Sequence, residues 1–169
     1  MIIEVVSYGR RQGKPSNNFD RIWNCTNVTN PSKSSRKGRT GMDKRLRKEV
    51  MMEKEAQSIV RDAVEFCRCQ LGDIKETTPY HECEEKRKDP FLRIGFCCEM
   101  GKHRSVSIAI TVVEELKAIR NELQNDTDLS IISSHRDIQD NSICVKGLDG
   151  KAGGKRKSKK SYRCSIDEI

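Results

Sequence analysis

Between Cys98 and Ser105 the chain reads Cys-Glu-Met-Gly-Lys-His-Arg-Ser, a segment in which almost every side chain can do chemistry. A glycine-bearing turn at the start of a helix exposes backbone N–H groups that have no earlier carbonyl to bond, and such groups make a receptor for an anion. Gly101 permits the tight curvature, Lys102 contributes a point charge, and Arg104 carries a planar fork able to hold two phosphate oxygens at once. Ser105 and His103 complete the polar lining.

The same residues spell Cys-x5-Arg-Ser, with Cys98 and Arg104 at the ends of the spacing. In cysteine-dependent phosphatases a thiolate at the first position attacks phosphorus while the Arg and the loop amides hold the oxygens. Here the preceding residue is Cys97 rather than the His usual in that signature, and the carboxylate of Glu99 beside the thiol opposes thiolate formation. Two chemistries therefore stay open: anion binding, and phosphoryl processing by Cys98 and Arg104. His103 and His135 are each followed by Arg, and each can act as acid or base, bond phosphate as imidazolium, or sit satisfied in a polar rim. Cys67-x-Cys69 with His81-x-Cys83 has the residue types of a metal site, but residues two apart on a helix face different ways. No metal and no cofactor is expected.

These groups need elements to position them. Residues 2–6, Ile-Ile-Glu-Val-Val, read as a strand ending at Ser7-Tyr8-Gly9. Ile22-Trp23-Asn24-Cys25 reads as a second short strand, inside a long loop closed by Asn30-Pro31. Thr40 with Asp43 three residues on reads as a helix N-cap. Over residues 44–71 Leu46, Val50, Ile59, Ala63, Cys67 and Leu71 share one side of one long amphipathic helix or two in succession. Residues 72–90 read as a polar surface loop with Pro79 and Pro90. Residues 91–97, Phe-Leu-Arg-Ile-Gly-Phe-Cys, form the clearest strand. They are followed by a helix over about 104–123 with Val106, Ala109, Ile110, Val113, Leu116, Ile119 and Leu123 on its apolar face. Residues 129–132 close the pattern as a further short strand. The fold class is α/β: a small, mostly parallel sheet with flanking helices, and a βαβ unit around the central loop. In such sheets ligands bind outside the carboxyl ends of the strands, where Ser7-Tyr8-Gly9, the 98–105 loop and His135-Arg136-Asp137 would meet.

The 169 residues suit one domain, placed at 1–140, with a tail at 141–169. Residues 147–154 are glycine-rich, and Lys155, Arg156, Lys157, Lys159 and Lys160 form a basic cluster; the tail has too few apolar residues to fold alone and is expected to be disordered. The cluster is a candidate nucleic-acid contact and, in a nucleated cell, a candidate import signal. The net charge of +8 favours phosphate-rich partners, while an aromatic content of only 5% argues against extended base stacking. The start of the chain has no signal-peptide pattern, no stretch is apolar enough to span a bilayer, and eight cysteines without an export signal read as thiols. An intracellular, cytoplasmic or nuclear location without membrane contact is expected.

Ser7-Tyr8-Gly9, Gly13, Asn30-Pro31, Thr40-Gly41-Met42-Asp43, Gly101-Lys102-His103-Arg104-Ser105-Val106 and His135-Arg136-Asp137 stand in the order and approximate spacing of the RapZ C-terminal domain, which the first 140 residues resemble. The full-length bacterial proteins carry an N-terminal P-loop domain, and this chain has no Walker A sequence, so it reads as the C-terminal domain alone. The resemblance implies an α/β fold whose loop binds an amino-sugar phosphate or similar anion, RNA binding by basic surface residues, and self-association. It assigns ligand roles to Ser7, Cys98, Gly101, Lys102, His103, Arg104, Ser105, His135 and Arg136. The family's Gly-Cys-Thr-Gly-Gly appears here as Cys97-Cys98-Glu99-Met100-Gly101, and its Asp-Val-Arg as Asn24-Cys25-Thr26. A lost Arg and a gained Glu make this pocket less cationic.

Overall fold

A computed structural model of the chain describes residues 1–16, 18–71, 91–122, 129–138 and 163–164. The loop at 72–90, with His81 and Cys83, and Leu123 lie outside them, as does the basic cluster at 155–160.

Five strands form one sheet in the order β2-β3-β1-β4-β5: β1 Ile2–Gly9, β2 Arg21–Asn24, β3 Phe91–Cys98, β4 Ser130–His135 and β5 Arg163–Cys164. β1 pairs in parallel with β3 and β4, and β2 in parallel with β3. The parallel sheet expected from the sequence is therefore present, with β1 at its centre. Its strands run further than their apolar stretches, to Gly9, Cys98 and His135, because each polar end still has a neighbour to bond. β5 comes from the tail and pairs antiparallel with β4 at Ser133–Cys164 and Ser134–Arg163. Two residues of the tail, which was expected to be disordered, thus pair with the sheet.

Side chains alternate along a strand, so one register decides which face each residue joins. Ile3, Val5, Leu92, Ile94 and Phe96 all point to the helix-covered face and are completely buried. Trp23 of β2 stacks on Phe96 at 5.3 Å. The other face carries an ion pair, Arg93 to Glu4 at 2.5 Å, and the stacked pair Tyr8 and Phe19.

The helices are α1 Lys33–Arg36, α2 Lys44–Val50, α3 Lys54–Leu71 and α4 Arg104–Glu122. α4 follows β3, crosses over β1 and leads to β4, lying on all three strands while α2 and α3 pack against its other side. A helix covered on both sides needs more than one apolar stripe. Val106, Ile108, Ala109, Val112, Val113 and Leu116 are accordingly all buried, while Ile110 is only half-buried. α2 and α3 are two helices, separated at Met51-Met52-Glu53, and α3 buries Ala56 and Val60 besides Ala63 and Cys67. Asp62 of α3 ties it to the sheet edge by accepting from Trp23 Nε1 at 2.6 Å and Arg21 Nη2 at 3.0 Å.

The N-cap of α2 is Asp43, not Thr40: its carboxylate accepts from the amides of Arg45 and Leu46 at 2.9 and 3.1 Å. The delay has a cause in packing. Gly41 N donates to Lys102 O at 2.8 Å, so the chain is held in a non-helical turn until it has cleared the central loop. Among the described residues, no helix is long and apolar enough to cross a membrane.

Phe96 fills the core between Trp23 and α4, and its truncation leaves a cavity that the surrounding backbone cannot close. Phe96→Ala is expected to lower unfolding free energy by about 3–5 kcal/mol in urea titrations. A loss below about 1 kcal/mol would show that this packing is not what holds β2 to β3.

Candidate anion-binding site

The carboxyl ends of β1, β3 and β4 finish level, with Gly9 opposite Cys98 and Ser7 opposite both Phe96 and His135. The three polar clusters expected to meet on one rim do meet there. Gly101 has a φ of +67° and lies against the backbone of Tyr8 and Gly9 with no room for a side chain. A Cβ on Gly9 would sit 2.5 Å from the carbonyl carbon of Met100. Gly41 closes the loop from the opposite side, where a Cβ would meet His103 O and Ser107 N at 2.5 and 2.6 Å. The turn is thus gripped between two other pieces of backbone.

The first carbonyl taken within α4 is that of His103, which accepts from Ser107 N at 2.8 Å. The amides of Arg104, Ser105 and Val106 come earlier and have no acceptor among the described residues. Lys102 is exposed beside them. Arg104 is only 7% exposed, and its Nη1 donates to Thr26 O at 2.6 Å and Val28 O at 2.8 Å. Its Nε and Nη2 have no acceptor among the described residues.

The remaining residues expected to bind ligand have structural partners. Arg136 reaches back over the Tyr8 ring; its Nη1 donates to Gly13 O at 2.7 Å, and its Nη2 to Gly9 O and Asp137 Oδ2 at 3.0 and 2.9 Å. It clamps the segment after β1. Ser7 is completely buried, with its Oγ 2.8 Å from Nδ1 of His135. His103 Nε2 lies 3.1 Å from Arg39 O and so donates its proton there, which leaves Nδ1 of the neutral ring as an acceptor. Cys98 is 3% exposed, its sulfur 3.1 Å from Ser105 Oγ. Glu99 turns outward to Arg11, Oε1 to Nε at 2.5 Å, away from the thiol it was expected to oppose.

The sequence reading placed Asp137 on the rim without a role for it, and it missed Thr26 and Val28. Asp137 accepts from Gly9 N at 2.6 Å and holds β1 to β4; its place in His-Arg-Asp was the available signal. Thr26 and Val28 act through backbone carbonyls, which leave no trace in residue type. Cys67 is buried in α3, its thiol pushed up to about 12 by burial, and among the described residues no group of three His, Cys, Asp or Glu could hold a metal ion.

Burial also makes both histidines harder to protonate. Both imidazoles sit below their ordinary value because the charged form loses its solvation. For His103 the cations Arg36, Lys102 and Arg104 add to the effect, against the opposing bond to Arg39. His135 is held down at about 4 by burial and is neutral near pH 7. An imidazolium at that position, one role open in the sequence, is therefore disfavoured at neutral pH while no anion lies beside the ring.

Fold and rim together define a parallel α/β protein with a glycine turn between a central strand and a buried helix. The chain belongs to the RapZ C-terminal domain family, whose profile residues 1–139 match. It is 32% identical over 140 residues to a nucleotide-binding protein of Caldanaerobacter subterraneus subsp. tengcongensis, covering 82% of this chain and 42% of that protein. A nucleotide-binding protein of Thermoanaerobacter sp. is 33% identical with the same coverage, and one of Brevibacillus brevis 30% identical over 83% of this chain and 42% of its own. The chain spans about two-fifths of the length of these relatives.

The depressed value of His135 makes stability depend on pH. From pH 6.5 down to about 4 the unfolded chain binds a proton that the folded chain refuses, so folding loses up to about 3 kcal/mol as the pH falls through that window. His135→Gln should remove this part of the acid destabilisation in denaturant titrations at pH 7, 5.5 and 4.5. An unchanged pH profile in the variant would mean that the imidazole is not the group responsible.

Proposed function

We propose that this chain is a binding module for a phosphorylated small molecule, of amino-sugar phosphate type, held at the turn of residues 101–105. One observation carries the reading: Arg104 is anchored through Nη1 while its Nε–Nη2 edge has no acceptor among the described residues. That edge matches two oxygens of a phosphate, and the amides of Arg104, Ser105 and Val106 open beside it. Lys102 supplies further charge, and the contact of Cys98 with Ser105 shapes the floor. The relatives' names, which speak of nucleotide binding, concern proteins more than twice as long, yet they fit a phosphate-bearing ligand.

A cysteine-dependent phosphatase is the alternative, and the Cys98–Ser105 contact at 3.1 Å favours it. The burial of Cys98 and the sideways anchoring of Arg104 favour binding without catalysis.

We propose further that the basic surface takes up RNA backbone. Lys33, Lys37, Lys44, Arg45 and Lys48 are exposed along α1 and α2, and Lys102 is exposed in the loop that Gly41 packs against. The tail cluster Lys155, Arg156, Lys157, Lys159 and Lys160 is a second candidate.

Two measurements test these readings. Inorganic phosphate should raise the melting temperature of the parent, because a ligand that binds only the folded state stabilises it. Arg104→Lys keeps one anchoring bond but lacks the two-toothed edge, and should lose most of the shift; an equal shift in parent and variant removes the loop as the site. Affinity for structured RNA should fall steeply with salt. Replacing Lys33, Lys37, Lys44, Arg45 and Lys48 with Ala should flatten that slope if the folded domain makes the contact, and replacing the tail cluster should do so if the tail does. Absence of binding at ~50 mM salt, where electrostatic binding is strong, ends the RNA reading.

A further inference from the structure

We infer that Cys25 and Cys98 form a redox-sensitive pair, joined by oxidation into a disulfide that disables the anion site. The inference rests on the proposed role of the loop only for its consequence; the pairing itself stands on strand geometry. β2 and β3 are parallel with Asn24 opposite Cys97, and Cys25 N donates to Cys97 O at 2.7 Å, carrying the ladder one step beyond β2. That step sets Cys25 beside Cys98, on the face where Trp23 and Phe96 stack two residues earlier. Neighbouring strands lie ~4.8 Å apart, inside the Cα separation of ~4.4–6.8 Å that a disulfide spans. Cys97 points to the opposite face, the one that carries Tyr8, its register partner in β1. Its Cα is ~3.8 Å from that of Cys98 across a trans peptide, which is too close for an unstrained bridge.

Both sulfurs are connected to the site. Cys98 Sγ contacts Ser105 in the first turn of α4. Cys25 directly precedes Thr26, whose carbonyl anchors Arg104 Nη1. Cys25 is completely buried with only a weak contact from its Sγ to Trp23 O at 3.8 Å, so its thiol has no strong bond to give up. Drawing the two sulfurs together removes Cys98 from Ser105 and displaces the carbonyl that aims Arg104.

A peroxide, far smaller than a phosphoryl substrate, is the oxidant that a sulfur only 3% exposed can still meet. The Cys98 sulfur attacks one peroxide oxygen, the O–O bond breaks, and the departing oxygen takes the thiol proton, leaving a sulfenic acid and one water. The Cys25 sulfur then attacks the Cys98 sulfur, the S–O bond breaks, and the second water leaves with the proton of Cys25. Two thiols and one hydrogen peroxide yield one disulfide and two waters. Cys98 reacts first because it ends β3 at the glycine turn, whereas Cys25 is completely buried and burial and the neighbouring thiols push its thiol well up; it gives up its proton only as it attacks the sulfenic sulfur beside it. A small thiol reverses the bond by exchange.

The full chain is treated with hydrogen peroxide, quenched, digested without reduction and mapped by mass spectrometry, and the phosphate-dependent melting shift is read before oxidation, after it, and after dithiothreitol. The expected result is a link between the peptides of Cys25 and Cys98, loss of the phosphate shift, and recovery of both on reduction. Cys25→Ala and Cys25→Ser should keep the shift after the same treatment and hold Cys98 as a sulfenic acid trapped by dimedone; two variants guard against one that fails to fold. A link through Cys97, or no link in protein that keeps its circular dichroism, overturns the pairing. A Cys25–Cys98 link that leaves the phosphate shift intact overturns the gating. If the reduced protein shows no phosphate shift at all, the proposed ligand fails, and the peptide map still decides the pair.

Discussion

The rim depends on one constraint: the backbone at Gly101 lies directly against the backbone at Tyr8 and Gly9, with no volume left for a side chain on either glycine. Parallel pairing makes this contact possible by ending β1 and β3 at the same level. The φ of +67° at Gly101 is left-handed, which glycine adopts without steric cost and which turns the chain from β3 into α4 within a few residues. Any side chain there would push the strand end and the helix start apart, and the open amides of α4 would leave the rim. β4 secures the arrangement from its other side, Asp137 bonding Gly9 N and Arg136 bonding the carbonyls of Gly9 and Gly13.

Most of the charge in the motif therefore acts within the protein. Arg136 holds the segment after β1, His103 bonds Arg39, and Arg104 uses one nitrogen to hold the segment after β2. Such internal bonds fix side chains before any ligand arrives, which lowers the ordering cost of binding. In the proposed site Arg104 would serve both ends, because one end of its guanidinium is tethered and the other edge has no acceptor among the described residues. The backbone at Thr26 and Val28 thus bears on the site although neither side chain need touch a ligand.

The placement of α4 explains why the domain can be small and rich in charge. Its flank toward β1, β3 and β4 and its flank toward α2 and α3 are both apolar, so one helix of 19 residues serves two interfaces. The remaining helices can then keep polar outer faces, as α2 does with Lys44, Arg45 and Lys48 exposed. Those cations follow a turn that Gly41 fixes against the central loop, which brings a basic surface next to the proposed site.

Sequence alone determined the α/β class, the strands at both ends of α4, and the meeting of the three polar clusters, because hydrophobic period and the parallel-sheet rule are local and general. It also singled out Gly101 and Arg104, whose types are tied to what the turn requires. The roles of individual polar residues were decided by tertiary structure. Thr40 and Asp43 are both capable caps, and only the bond of Gly41 to Lys102 made Asp43 the one used. Arg136 and Arg104 have the same side chain, but one has its nitrogens bonded to carbonyls and a carboxylate while the other keeps an edge without an acceptor among the described residues. The acceptors that divide them are backbone carbonyls of Gly9, Gly13, Thr26 and Val28. Every residue has such a carbonyl, so nothing in an amino-acid type reveals where it will point until the chain has folded.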